Sequence, residues 1–266
     1  MSTLYFPQLI TGSMTQFPLR KRTLLRTISN RSIGDRHVKM ADPEAGIHHW
    51  TVNYSGLTDE EIEKLQELFF ACEGKLRDFV WFDPLGNLLR WTEDLSNPVW
   101  QGSSMTAADI EDPQGGTRAW RITNAAQAGQ DVSQSIRAPG WFQYSFGVWV
   151  RSESTDAVEL RITTGDGAIG AIRPVSSEWE RISVSAQIMG NSEDVRCSMQ
   201  IPAASAIDIY GPQLNAQRDI SGYRRNTSTS GVSVARFDQD EFEYISSGPN
   251  DHSTQITVVT VREVTT

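Results

Sequence analysis

The sequence predicts a mainly β protein with one prominent helix, in which a β-rich (α+β) domain is interrupted by an inserted antiparallel β-sandwich domain. Three observations lead to this fold class: a single amphipathic helix with capping signals, a long middle segment of alternating strand patterns, and a change of residue usage at both ends of that segment. Strand patterns also flank the helix, so we expect two units that each contain β-structure.

The helix is predicted in TDEEIEKLQELFFACEG, residues 58–74. Thr58 and Glu61 have the spacing of a capping box, and the acidic residues that follow Thr58 match the positive end of the helix dipole. Apolar residues then recur at helical spacing, at Ile62, Leu65, Leu68, Phe69 and Cys72. Gly74 ends the helix.

The segments around the helix alternate in the manner of half-buried strands. HHWTVNYSG precedes the helix and DFVWFDP follows it, and two C-terminal patterns, ARFDQDEFEYI and TQITVVTVREV, have the same character. A strand–helix–strand unit alone offers too little sheet to be stable. We therefore expect the C-terminal strands to complete the sheet that residues 48–56 and 78–83 begin.

The middle of the chain contains strand patterns at short spacing, separated by Gly, Pro, Ser and Asn. They occur in WFQYSFGVWVRS, AVELRITTGDG, EWERISVSAQI, RCSMQIP and AIDIYGPQL. Such spacing is typical of an antiparallel sandwich.

Residue usage marks the ends of this middle segment. All four lysines precede residue 88, and all four histidines lie outside 88–225, whereas this segment holds twelve arginines and six of the eight tryptophans. We interpret the Asp-Pro-Leu-Gly-Asn turn that ends at Asn87 as the point of insertion. The predicted domains are residues 1–86 and 228–266 together, with 87–227 inserted between them.

Composition excludes several classes of function. The net charge is −9, with a pI near 5.0, which argues against a dedicated nucleic-acid binder. No run approaches the roughly 20 apolar residues of a membrane helix, and we expect no signal peptide at the N-terminus. Cys72 and Cys197 lie far apart and are predicted to be buried free thiols, with their redox state left open.

The outer segments resemble the distal-tail (minor tail) proteins of siphophages and gene-transfer agents. The resemblance depends on FPQL, the FPLRKR turn, the W-x-V-x-Y strand, the helix, FVWFDP and the RFDQDEFEYI hairpin, in that order. It implies a structural virion protein of the baseplate, made in the host bacterial cytoplasm. Such proteins form a ring, usually a homohexamer, that contacts the tail tube protein and the tail tip or hub protein.

The middle segment resembles the jelly-roll carbohydrate-binding modules that are common in phage tail proteins. The matching pieces are NLLRWTEDLSNPVW, GGTRAWRIT, YSFGVWVRS, EWERISVS and IDIYGPQLNAQRDISGYRRNT. This resemblance implies an outward-facing module for host attachment through surface glycans. The alternative that it only decorates the tail stays open.

Two tryptophans are the candidate glycan-binding residues. Trp120 and Trp141 lie near loops, where an indole can stack on a sugar ring, although packing is the alternative role for both. We expect Trp149 and Trp179 to belong to the core.

A basic cluster is the candidate assembly interface. Arg20, Lys21, Arg22 and Arg26 could contact acidic residues of a neighbouring subunit, of which Asp238, Asp240 and Glu241 are candidates. The alternative is that they are ordinary solvated charges.

No enzymatic activity is predicted. The chain has no G-x-S-x-G, Walker-type or H-E-x-x-H motif, and the middle segment lacks the usual neutral-pH bases. The acidic sites at Glu111-Asp112, Asp166 and Glu193-Asp194 are expected to be solvated turns. No cofactor or metal ligand is assigned, with a structural calcium in the inserted module left open. The rival functions are a free carbohydrate-binding protein or accessory module of a glycan-active enzyme and, third, an active glycosidase.

Overall fold

The structure, a computed structural model, describes residues 3–102, 110–155 and 157–263, with side chains described outside 42–46 and 261–263. Over these residues it has fourteen strands and one helix. Every strand pair whose register is described is antiparallel. The predicted fold class, mainly β with one prominent helix, is therefore confirmed.

The chain divides into two compact units. Within the described residues, the first unit contains residues 3–7, Thr15–Trp81 and the segment from Ser233 onward, and the second contains Gln8–Met14 and Phe82–Val232. These limits differ by about five residues from those expected at 86/87 and 227/228. Residues 8–14 also join the second unit, because the Gln8 amide exchanges two hydrogen bonds with the backbone of Gln143, at 2.7 and 2.9 Å.

One six-stranded sheet and the helix make up the first unit. The strands are β1 (Leu19–Arg31), β2 (His37–Leu57), β3 (Phe79–Phe82), β12 (Val232–Phe237), β13 (Tyr244–Gly248) and β14 (Asp251–Glu263). Their order is β1-β2-β14-β12-β3, with β13 also paired to β14. The expected sheet of N- and C-terminal strands thus forms, and β3, where the chain leaves, lies beside β12, where it returns.

Aromatic side chains form the centre of this unit. Phe237 lies 4.9 Å from Phe79 and 5.2 Å from Phe69 between ring centroids, and Phe6 meets Trp81 edge-to-face at 4.8 Å. Contacts of this kind add about 0.5–1.5 kcal/mol each to the stabilisation from burial alone. The sheet and the helix therefore share one core.

Helix α1 (Asp59–Ala71) begins with the predicted capping box. The Glu61 N–H donates to Thr58 Oγ1 at 3.2 Å, and the Thr58 N–H donates to Glu61 Oε2 at 2.9 Å. The face predicted from spacing is buried, including Cys72, whose pKa is raised to about 11 by burial. Cys72 and Cys197 are both free and buried, as predicted. No helix among the described residues is long and apolar enough to cross a membrane.

Two four-stranded sheets build the second unit. Its strands are β4 (Trp120–Asn124), β5 (Gln130–Arg137), β6 (Gln143–Arg151), β7 (Ala157–Thr164), β8 (Gly167–Pro174), β9 (Glu180–Gln187), β10 (Asp194–Ile201) and β11 (Ser205–Asn215). The sheet orders are β5-β10-β7-β8 and β4-β11-β6-β9. Eight antiparallel strands in these two orders have the connectivity of a jelly roll.

Three strands of this unit, β4, β5 and β8, are not among the five strand patterns predicted from the sequence. On β5 a polar residue, Gln134, takes a buried position between Val132 and Ile136, where it exchanges hydrogen bonds with the backbone of Arg90 at 2.8 and 3.0 Å. On β8 most residues are exposed because it is the edge strand of its sheet.

The basic FPLRKR stretch is a strand and not the expected turn. β1 begins at Leu19 and pairs with β2 from Leu19–Val52 to Arg31–His37. The turn lies further on, where the Asp35 N–H donates to the Ser32 carbonyl at 2.9 Å.

A buried asparagine joins the two ends of the second unit. Asn87 Nδ2 donates to the carbonyls of Pro212 and Arg224 at 3.0 and 3.2 Å. Its Oδ1 accepts from the N–H groups of Leu89 and Leu214 at 3.0 and 3.1 Å. Its own carbonyl accepts from Gly231 at 2.8 Å, and a Cβ at Gly231 would meet that oxygen.

We predict that Asn87→Ala destabilises the second unit by roughly 3 kcal/mol or more, because it removes the partner of four backbone groups, three of them buried. Urea unfolding followed by tryptophan fluorescence would measure this, since most of the tryptophans lie in this unit. Asn191→Ala, at an exposed position, is the matched control. Equal urea midpoints for the two variants would show that the hydrogen bonds of the Asn87 side chain do not stabilise the second unit.

Candidate functional site

A two-stranded arm, residues 24–41, extends from the sheet of the first unit. Its register pairs Ile28 with Met40 and Asn30 with Val38, whereas Ser29 pairs with Lys39. Since paired residues share a face, Ile28, Met40 and Val38 lie together on one face of the ribbon. Arg26 and Asn30 share this face, whereas the opposite face carries Thr27, Ser29, Arg31, His37, Lys39 and Ala41. The first face is therefore the more apolar of the two, and in this sense the arm is amphipathic.

The apolar face of the arm is exposed to solvent. Leu24, Ile28, Val38 and Met40 are 39–54% exposed, and Ile33 at the tip is fully exposed. Beyond Ile47 the arm has only two strands, because the described pairing of β14 with β2 begins at His49. An isolated two-stranded ribbon is at best marginally stable in water, so this face lacks the cover that a sheet normally receives.

The charge of the arm region is opposite to that of the rest of the chain. Residues 19–41 carry seven basic side chains and one acidic side chain, a net charge of +6. Because the whole chain has a net charge of −9, the remaining residues together have a net charge of −15. The region is suited to contact an acidic surface, and the other end of the first unit offers one.

Strand alternation divides the basic cluster predicted from sequence. Arg20 and Arg22 pair with Thr51 and His49 on one face of β1, whereas Lys21 lies over the buried Trp50 ring on the other, with Nζ 4.6 Å from the ring centroid. Arg26 lies further along, on the arm. The four residues therefore do not form one continuous patch, and their role in assembly stays a prediction.

An acidic groove lies at β13 and β14, away from β1 in the sheet order. It is a cavity of about 510 Å³ whose wall includes Glu241, Glu243, Tyr244 and Ile245. All four side chains are exposed. Two of the acidic residues expected to meet the basic cluster have partners in their own unit instead: Asp238 contacts His49 at 3.2 Å, and Asp240 accepts from the Lys75 N–H at 3.1 Å.

The outer surface of the β5-β10-β7-β8 sheet, here the polar face, is the first candidate ligand surface in the second unit. Its central rows bring Ser133, Ser198 and Arg161 together, and beside them Ser135, Arg196 and Thr163. No outward residue of these four strands, all fully described, is aromatic. Four buried atoms of this sheet have no hydrogen-bond partner among the described residues: Gln130 Oε1, Asp131 Oδ1, Ser133 Oγ and Arg196 Nε.

The two predicted sugar platforms are far apart. Trp120 pairs with Ile209, which pairs with Val150, and Trp141 lies nine residues before Val150. At about 3.3 Å per strand residue this separates the two tryptophans by roughly 25–30 Å. They cannot serve one short glycan together.

Each of these tryptophans is half-buried and held by its neighbours. Trp120 Nε1 donates to the Glu93 carbonyl at 3.0 Å, and Trp141 meets Phe142 edge-to-face at 6.1 Å. Packing is therefore visible for both, and ligand binding by them stays a prediction.

Trp149 and Trp179 were both expected in the core, but both are half-buried. Trp179 carries the Arg151 guanidinium over its ring, 4.8 Å from the ring centroid.

The acidic loop at Asp112 is not the solvated turn that was expected. Asp112 is buried, and its carboxylate accepts from the N–H groups of Gln114, Gly116 and Arg118 at 2.8, 3.1 and 3.2 Å. These oxygens are committed to the loop. Among the described residues no group of three or more His, Cys, Asp or Glu side chains could hold a metal ion, and calcium binding stays untested.

The Asp112 carboxylate should make stability depend on pH. Burial raises the pKa of Asp112, but the three backbone N–H groups outweigh burial, so its pKa is below the usual value. The stabilisation is present above the unfolded pKa of about 3.9 and is lost as pH falls through the lower folded pKa. We expect Asp112→Asn to lower Tm at pH 7 and the difference from wild type to narrow below about pH 4. An equal difference at pH 7 and pH 3 would contradict this assignment.

Comparison with known proteins shows structural similarity over about half of the chain. No protein-family model and no curated protein matches it. The enzymatically active domain of bacteriophage CBA120 tailspike protein 4 is 15% identical over 50% of this chain and 22% of its own, with a TM-score of 0.39. TmCBM61, solved with β-1,4-galactotriose, is 16% identical over 50% of this chain and 99% of its own, with a TM-score of 0.38. A CBM 22 xylan-binding domain is 13% identical over 52% and 99%, with a TM-score of 0.39. At these scores the similarity carries no functional argument, and the distal-tail family is not among these matches.

Proposed function

We propose that this protein is a structural component of a phage tail or tail-like particle, a distal-tail or baseplate ring protein that links the tail tube to the tail tip. The observation that carries the proposal is the amphipathic arm, whose exposed apolar face needs a partner. A protein that works as a monomer gains nothing from such a surface, which is an aggregation hazard unless it is covered. No catalytic role is part of the proposal.

We assign the partner of the arm as a second copy of the same chain. The arm is basic and apolar on one face, and the groove at β13 and β14 combines Glu241 and Glu243 with exposed Tyr244 and Ile245. Two different surfaces that complement each other make a heterologous contact, which closes into a ring when the rotation between copies permits. Strand β1, which pairs only with β2 among the described strands, also offers an open edge for strand addition.

The second unit would supply attachment to host-surface glycans. Its polar face offers hydroxyl, carboxylate and guanidinium groups to a sugar. A ring would repeat this unit around its axis, and repetition turns weak single contacts into avidity.

We predict that the purified protein forms particles of about 180 kDa, six copies of the 29.7 kDa chain, in mass photometry at low salt. The double variant Arg36→Glu/Lys39→Glu, at exposed positions of the arm, should shift the population towards monomer, as should Glu241→Arg/Glu243→Arg. Combining all four changes should restore assembly, since the contact then has reversed but complementary charges.

The matched control is Glu178→Arg/Glu180→Arg, which makes the same change of charge at exposed positions of the second unit. If this control dissociates the ring as strongly as the groove variant, the effect is one of total charge. If the four-fold variant stays monomeric, the arm does not bind the groove.

The alternative function is a free carbohydrate-binding protein or an accessory module of a glycan-active enzyme. The observation in its favour is the polar face, where Arg161, Arg196 and Ser135 lie side by side on the outer surface of the sheet. This alternative predicts a monomer at all concentrations.

If the protein is a free carbohydrate-binding protein, Arg196→Ala should lower the affinity for a bound oligosaccharide at least about tenfold, since a charge-assisted hydrogen bond contributes roughly 1.5–3 kcal/mol. Isothermal titration after a glycan screen would measure it, with exposed Arg236→Ala in the first unit as control. Unchanged affinity would remove the polar face as the binding site.

A further inference from the structure

Three charged side chains form a row across the other sheet of the second unit. Asp208 on β11 pairs in register with Arg121 on β4 and with Arg151 on β6. Arg121 donates from Nε and Nη2 to the buried Asp208 carboxylate at 2.7 and 3.0 Å, and Arg151 donates from Nε at 3.0 Å. One carboxylate therefore holds two guanidinium groups side by side.

Both guanidinium groups have N–H donors that make no hydrogen bond to a described residue. Arg151 makes no hydrogen bond from either Nη to a described residue, and Arg121 makes none from Nη1. The guanidinium of Arg151 also lies over the Trp179 ring, with Cζ 4.8 Å from the ring centroid. Its orientation is thus fixed before a ligand arrives, which lowers the entropy that binding loses.

Both arginines line one cavity of about 480 Å³, together with Asp208, Glu153 and Ser177. This volume lies within the range of small-molecule sites. The charged lining residues are two arginines and two carboxylates, Asp208 and Glu153, so the cavity as a whole has no net charge. The row of Arg121, Asp208 and Arg151 alone has a net charge of +1, because Glu153 lies at the exposed wall. Planar guanidinium forks bind carboxylate and phosphate groups through paired hydrogen bonds.

We propose that this cavity binds the anionic group, a carboxylate or a phosphate, of an acidic sugar. The inference rests on the proposal that the second unit binds host-surface glycans, and it specifies that the bound glycan contains an acidic sugar. The site lies on the β4-β11-β6-β9 sheet, so it is separate from the polar face. Glu153 is the residue that opposes an anion and that tunes affinity.

The test uses three sugars on one ring: glucose, glucuronic acid and glucose 6-phosphate. Binding to the full-length protein is followed by isothermal titration and by NMR of the arginine Nε–Hε groups. We expect the acidic sugars to bind and glucose not to bind, with affinity falling as salt rises. Comparison of the two acids distinguishes a carboxylate source from a phosphate source. Equal binding of glucose would overturn the proposal.

Two variants separate the site from a general effect of charge. Arg151→Gln should weaken acidic-sugar binding roughly tenfold or more, because it removes the fork with free Nη groups. Arg218→Gln makes the same change of charge at an exposed position and should have no effect. An unchanged affinity in Arg151→Gln would exclude the cavity.

Arg151→Gln could also disturb the fold, since it removes a partner of buried Asp208, so a second variant is needed. Glu153→Gln, at an exposed residue, should strengthen acidic-sugar binding about two- to fivefold by removing a like charge. Weaker or equal binding would contradict the anionic ligand. Ring formation is measured on the same variants by mass photometry, so a failed sugar experiment and a failed ring proposal are distinguishable.

Discussion

The closure of the second unit depends on one buried amide. All the hydrogen-bonding groups of the Asn87 side chain are used, and they join three passes of the chain: its own start, β11 and the returning segment near Arg224. The same clasp brings Asp83 and Gly231 within one hydrogen bond, at 2.7 Å. A unit whose entry and exit meet in this way can be set into a sheet without separating its strands. In the first unit, β3 and β12 are neighbours in the sheet, so the chain leaves this unit and returns to it at adjacent strands.

The two units are incomplete in different physical ways. The first exposes an apolar ribbon face and an open strand edge, and such surfaces are completed by another protein chain. The second exposes fewer large apolar residues, Ile172 and Met189 among them, and has arginine Nη groups without a hydrogen-bond partner among the described residues on its β4-β11-β6-β9 sheet. Groups of that kind are completed by a small polar ligand or by water. This division favours assembly by the first unit and recognition by the second.

Local signals in the sequence predict local structure well. The helix has its cap at Thr58 and its buried face as expected, because both depend on residues three or four apart. The arm is missed because Arg26 interrupts the apolar alternation between Leu24 and Ile28, and the short Val38–Met40 pattern lies beyond the turn. The cluster of Arg121, Arg151 and Asp208 depends on strand register, which no short-range pattern fixes; the partners are 87 and 57 residues apart. For the same reason the sequence could not exclude Trp120 and Trp141 as joint platforms.

The relative sizes of the apolar and electrostatic contributions indicate how the arm would act in a ring. Burying an exposed Ile, Val or Met side chain stabilises a contact by roughly 1.5–3 kcal/mol when burial is complete. An exposed ion pair contributes about 0.2–1 kcal/mol and is weakened by salt. Ile28, Val38 and Met40 are already about half buried, so their complete burial adds about 2–4 kcal/mol for the three together, which is still more than one exposed ion pair. The +6 charge of the arm region orients and accelerates the encounter with the acidic remainder of a second copy. Salt should therefore slow ring formation more than it shifts the equilibrium between monomer and ring. It weakens the electrostatic contribution, which is the smaller one, and leaves the contribution of apolar burial in place.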